Sequence, residues 1–289
     1  MASDGQSTET GFLYSIATSG QYDRLVTYLG SNEPLAVRRK AADLLTQSLE
    51  SLVEQETGSV VDELYHAALT ETSDSVRADI IEVLIYVDDN AVDKLVSKIE
   101  SGEYPTPTDS PSPLVYVEWL DSGHVELRLV AVTGLGQIGT PQVVSKLIVA
   151  CQDSDKRIQI RALKECGRIG DPRCVAVARD CLQTADRDVK TAAARCLVKI
   201  GTPDAIGAIM PLCKEDDLRL RRAIVSELGK TGSLSVFGIL LNEIADPENQ
   251  LKELAIQSAV ELIAHADSAN SHAVRITVGT HLQQVADQD

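Results

Sequence analysis

Apolar positions along this chain repeat on a short interval and a long one. Within short stretches they step by three and four residues, and across longer stretches the whole arrangement returns every 31 residues. Residues 155–170 (DKRIQIRALKECGRIG) show the short step. Ile158, Ala162, Cys166 and Ile169 fall on one stripe, as in an amphipathic helix. Ser154 or Asp155 can cap its start, and Gly170 supplies a left-handed residue to end it. Asp171-Pro172 then opens a second helix, predicted over 172–182, with proline where its missing N–H costs nothing. That helix presents Val175, Ala178 and Leu182 and breaks at the polar TADRD.

The long interval is visible in four turns: QIGTPQVV, RIGDPRCV, KIGTPDAI and KTGSLSVF. Their glycines, Gly139, Gly170, Gly201 and Gly232, are each 31 residues apart. Leu127, Ile158, Val189, Leu220 and Leu251 keep the same phase, as do Ala131, Ala162, Ala193, Ile224 and Ala255. So do Leu135, Cys166, Leu197, Leu228 and Ala259. A single pair of short helices cannot bury both of its faces, so such units must stack on one another. Upstream the offsets recur less regularly, at Val37, Ala41 and Leu45 and at Val76, Ile80 and Leu84. The four prolines of GEYPTPTDSPSP (102–113) mark an extended insertion, followed by the short segment LVYVEWL. The expected organisation is capping helices over 1–30, divergent repeats over 31–100, the Pro-rich insertion at 101–120, regular repeats over 121–267, and a cap or tail at 268–289.

The units share the form D-x-x-[VI]-[RK]-x-x-A-x-x-x-L-G-x-[IL]-G-[DT]-P. This resembles the HEAT repeat, in the short subtype named after phycobilisome lyases, closely over 121–263 and loosely over 31–100. The resemblance implies an all-α, right-handed, curved α-solenoid of about seven helical pairs, with second helices lining the concave face. At helix spacings of roughly 8–10 Å such an array would be about 60–70 Å long. It says little about function, since such repeats serve as lyase subunits, scaffolds and adaptors.

Composition narrows the function classes. Aromatics are 3% of the chain and net charge is −16. Base-stacking platforms and aromatic-walled ligand pockets are therefore poorly supplied. Asp outnumbers Glu and Arg outnumbers Lys, as expected of a cytosolic protein from a high-salt organism such as a halophilic archaeon. Met1–Thr10 lacks a basic start and an apolar run, which points to a cytoplasmic location without a membrane anchor. Cys151, Cys166, Cys174, Cys181, Cys196 and Cys213 form no C-x-x-C pair, so buried thiols are expected, with neither a disulfide framework nor a zinc site.

No catalytic constellation stands out, and no cofactor or metal is expected. The five histidines lie apart, without H-E-x-x-H or the His-Glu dipeptides of HEAT-like hydroxylases. Gly134, Gly136 and Gly139 end a repeat helix with no strand before them, so they do not form a dinucleotide loop. With Phe237 alone among aromatics in 121–263, bilin attachment is not expected.

Charge placement is the informative signal. Residues 1–120 carry a net −14, 121–232 a net +4 and 233–289 a net −6. A positive middle suits a protein partner with an acidic surface. Candidate contacts are Arg157, Arg161, Arg168, Arg173, Arg179, Arg187, Lys190, Arg195, Arg219, Arg221 and Arg222, with Arg173 and Arg179 favoured as second-helix residues. The competing reading is an inter-repeat ion-pair ladder, pairing Asp155 with Arg161, Asp186 or Asp188 with Lys190, and Asp217 with Arg221 or Arg222. Tyr104, Tyr116 and Trp119 are candidate anchors beside the insertion. The expectation is a non-enzymatic adaptor or scaffold. The alternatives are nucleic-acid-backbone binding by the basic repeats and a lyase-type accessory subunit. Oligomeric state is open.

Overall fold

The computed structural model describes residues 3–30, 32–54, 58–101, 112–231, 236–245 and 250–265, and no strand occurs among them. The chain divides into two compact units, Met1–Ile138 and Gly139–Asp289.

The first unit holds α1 (Ser3–Thr18), α2 (Tyr22–Thr27), α3 (Leu35–Gln47), α4 (Leu49–Glu54), α5 (Gly58–Thr70), α6 (Asp74–Val87), α7 (Ala91–Glu100), α8 (Ser112–Leu120) and α9 (Val125–Ile138). Helices α1, α3, α6 and α9 pack in succession as one row, and α2, α5 and α7 form a second. The second unit holds α10 (Pro141–Ala150), α11 (Lys156–Ile169), α12 (Cys174–Cys181), α13 (Arg187–Ile200), α14 (Pro203–Ile209), α15 (Leu218–Leu228), α16 (Phe237–Ala245) and α17 (Lys252–His265). A short 3-10 turn, Met210–Lys214, follows α14. Here α11, α13, α15 and α17 make the first row, and α10, α12 and α14 the second. Each unit is thus an all-α repeat stack.

The 31-residue registers are the core. All fifteen apolar residues in the three phases are at most 5% exposed, and so are Val37, Ala41, Leu45, Val76, Ile80 and Leu84 upstream. Local chemistry fixes the boundaries. Asp155 accepts from the Arg157 N–H at the start of α11, and Gly170 closes the helix at φ 73° with its N–H on the Cys166 carbonyl. Gly139 and Gly201 repeat the left-handed turn, while Gly232 lies outside the described residues. The helix after Gly170 is shorter than its pattern predicts: Pro172 and Arg173 sit in the turn and α12 begins at Cys174. At Gly167 a Cβ would stand 3.0 Å from the Cys196 Cα on α13, so the first-row helices approach closely because a side chain is missing there.

The largest departure from the sequence reading is at 112–120. The segment after the insertion is not an exposed strip with anchors but a helix packed on α9. Tyr116 is fully buried: its ring occupies the space a Gly134 Cβ would need, and its hydroxyl donates to Glu100 Oε1 at 3.0 Å. Trp119 is also buried, edge-on to Tyr116, with the Arg77 guanidinium 5.2 Å from its ring. Both large rings found more apolar contact inside the unit than a solvent-facing position offers, so neither can anchor a partner. Tyr104 lies outside the described residues, as do 102–111 and the tail from 266 onward.

Candidate functional site

In the second unit, repeat structure and charge are written by the same residues. Asp186 caps α13 by accepting from the Asp188 and Val189 N–H groups, and Asp217 caps α15 from Arg219 and Leu220. Each cap also takes a cation from the preceding repeat: Lys156 Nζ is 3.3 Å from Asp186, and Arg187 Nε is 3.7 Å from Asp217. The expected ladder therefore exists in a different register. Lys190 reaches Glu215 at 2.7 Å instead of Asp186 or Asp188, and Arg221 reaches Glu243 at 2.7 Å instead of Asp217. The reason is geometric, because a capping carboxylate points at its own helix's first turn and away from the residue four positions on. Backbone N–H donors (Val189 foremost for Asp186, Leu220 for Asp217), with these cations, hold both capping carboxyls below the ordinary range against the opposing pull of desolvation.

Arg173 and Arg179, the favoured recognition residues, are committed elsewhere. Arg173 grips Asp171 through Nη2 at 2.7 Å and donates to the Pro141 carbonyl of the previous repeat at 2.8 Å. Arg179 donates to the Asp204 carbonyl of the next repeat at 3.3 Å. Arg157 folds back on its own cap, Asp155. Buried Glu165 holds Arg168 and Arg161, and buried Glu227 holds Lys199 and Lys230. Most of the basic middle is thus tied into the stack.

A remainder is not. The side chains of Lys164, Arg195, Arg219 and Arg222 make no hydrogen bond or ion pair with any described residue, and all four are exposed. They sit on the open face of the first row, on α11, α13 and α15. That face carries two adjoining depressions of about 300 and 180 Å³ that share Ile160, Ala192 and Arg195. Ala223 and Leu163 extend the apolar floor, Arg219 stands at one end and Lys164 at the other. Asp188, Asp217 and Glu227 also line the depressions, each paired with a cation, so the unpaired charges on the rim are basic and can take carboxylates beside a small apolar side chain.

Sequence reasoning named Arg195, Arg219 and Arg222 without distinguishing them from bonded neighbours, and it missed Lys164. The exposed phases hold a partial signal: Lys164 and Arg195 are 31 apart, but the ion-paired Arg168, Lys199 and Lys230 form another such series, so spacing alone does not separate free from bonded cations. Among the described residues no three His, Cys, Asp or Glu side chains are placed to hold a metal, and no helix is long and apolar enough to cross a membrane.

Comparison with known proteins agrees with the fold. A family profile described as HEAT repeats matches residues 115–197 and 180–260. A HEAT repeat-containing taxis protein of Halobacterium salinarum is 29% identical over 150 residues, covering 52% of this chain and 35% of its own length. The chain therefore matches about a third of that relative. Among solved structures, the CpcE–CpcF complex of phycocyanin lyase from Nostoc sp. PCC7120 aligns over 91% of this chain and 94% of its own. Identity there is 20% and the TM-score 0.40. An engineered protein aligns over 88% and 81%, with 17% identity and a TM-score of 0.46. Both likenesses are loose.

Proposed function

The chain belongs to the HEAT-repeat family, and from that premise we propose that it is a cytoplasmic, non-enzymatic scaffold that holds a protein partner through an acidic segment. The docking face is the first-row surface of α11, α13 and α15, not the second-row arginines. One observation carries this reading: Lys164, Arg195 and Arg219, whose side chains have no partner among the described residues, line two adjoining apolar-floored depressions on this face, with exposed Arg222 on the same helix as Arg219. Exposed unpaired cations cost little in stability and steer an oppositely charged partner. Ile160, Ala192 and Ala223 leave room for a short apolar side chain, which supplies attraction that salt does not screen.

The relative's name attaches it to taxis. Carried to this chain, that sets the scaffold in a signalling assembly. Affinity capture at matched salt, with wild type beside a K164E/R195E/R219E/R222E variant, tests the reading. The expected result is a partner retained by the wild type and lost by the variant at unchanged circular dichroism. A partner equally retained by both would remove this face from the function. Retention of duplex DNA with a steep salt dependence would replace the protein partner with a nucleic acid.

A further inference from the structure

Five of the six cysteines of the second unit lie together, although they are scattered in sequence; Cys213 stands apart in the 3-10 turn. Cys151 is the C-terminal cap residue of α10, Cys166 lies in α11, Cys174 and Cys181 in α12, and Cys196 in α13. The Cys151 and Cys166 sulfurs are 3.9 Å apart, both side chains fully buried. Cys174 also contacts Cys166, and the Cys181 thiol donates to the Cys151 carbonyl at 3.6 Å. All are reduced. A disulfide needs a sulfur separation of about 2.05 Å, so Cys151 and Cys166 must close by only ~2 Å to bond.

We propose that Cys151 and Cys166 form a dithiol–disulfide couple that locks α10 to α11 when the protein meets a low-molecular-weight disulfide, RSSR. Cys151 is the entry point because it sits at a helix end, beside the exposed Gln152 turn, where fraying opens the chain at low cost. Its thiol gives a proton to solvent, and the thiolate attacks RSSR, forming Cys151–S–SR and releasing one RS⁻, which takes up a proton. Cys166 then loses its proton, attacks the Cys151 sulfur and expels the second RS⁻. In sum, two protein thiols and RSSR become one protein disulfide and two RSH. Contact with Cys151 and burial raise the Cys166 thiol above its ordinary range, so oxidation waits on local opening and is slow in the closed repeat. The bridge encloses the α10–α11 turn and stabilises the repeat that carries Ile160 and Lys164.

Trypsin makes the test direct. Cys151 falls in peptide 147–156, Cys166 in 165–168 and Cys174 in 174–179. Full-length protein is incubated with hydroxyethyl disulfide, alkylated in denaturant and mapped without reduction. The expected result is loss of two of the six thiols and a 147–156/165–168 cross-link. The thermal midpoint should rise by roughly 5–10 °C and return on reduction. Cys151→Ser abolishes the cross-link and the shift, while Cys174→Ser keeps both. Mild urea speeds the reaction. Six alkylatable thiols after prolonged oxidation in mild urea, or a dominant 165–168/174–179 link, would overturn the proposal, and the wild-type map decides even if a variant misfolds.

Discussion

The two units differ in how deeply they place arginine. In the first unit, Arg38 and Arg77 are buried. Arg38 makes a bidentate pair with fully buried Glu71 at 2.9 and 3.0 Å. Arg77 donates to the Ala68 and Glu71 carbonyls and to Asp74, beneath Trp119. In the second unit, Arg187, Arg195, Arg219 and Arg222 stand in solvent, and Arg195, Arg219 and Arg222 have no side-chain partner among the described residues. Arg38 and Arg77 are buried rivets in the first stack, while the second divides its arginines between bonded ones such as Arg173 and available charges such as Arg195. Burial and geometry decide which, while net charge per segment does not.

That contrast can be broken most forcefully at Glu71. Replacing it by alanine leaves the buried Arg38 guanidinium without its counter-charge, with only the Glu33 carbonyl to accept from it, and releases the Thr72 and Ser73 N–H groups that donate to Glu71. The expected loss is about 3–5 kcal/mol in urea denaturation, and a loss below about 1 kcal/mol would mean the pair is not structural. Gly134→Ala comes next, because its Cβ collides with the buried Tyr116 ring. It should cost about 1–3 kcal/mol by the same measurement. Asp217→Ala in the second unit removes a helix cap and should cost about 1 kcal/mol. Smallest is Arg195→Glu with Arg222→Glu, expected within about 0.5 kcal/mol of wild type. A large loss there would show that these cations have structural work after all.

Acid sharpens the same contrast. Burial alone would raise the Glu71 carboxyl, but Arg38 and the Ser73 and Thr72 N–H groups outweigh it and hold it below its ordinary 4.5. A carboxyl lowered on folding stabilises above its unfolded value, and that stability is lost as pH falls through the folded one. The urea-midpoint difference between wild type and Glu71→Gln should therefore shrink from about pH 6 to about pH 3. A difference that stays constant would assign the effect to packing.

Much of this fold was legible in the sequence, because burial in a stacked array is periodic. Leu127, Ile158, Val189, Leu220 and Leu251 announce one interior line, and Gly170 and Asp155 mark helix ends by local chemistry. The segment 114–120 was not legible as core, since a single helix carries no second copy to set its phase. Tyr116 and Trp119 therefore looked like exposed anchors until their contacts with Gly134 and Arg77 were known. The site was half legible. Its residue types were plain, but part of what commits Arg173 and Arg179 is a carbonyl 32 or 25 residues away, which no local pattern contains.

The shared phase of core and cations also limits how the chain can change length. One extra residue inside α13 would turn everything after it by about 100° around the helix axis. Leu197 would then swing toward water and a basic residue toward the interior. Gains and losses of sequence are thus confined to the turns, or to whole modules, which slide the pattern onto itself and add one more step to the charged row.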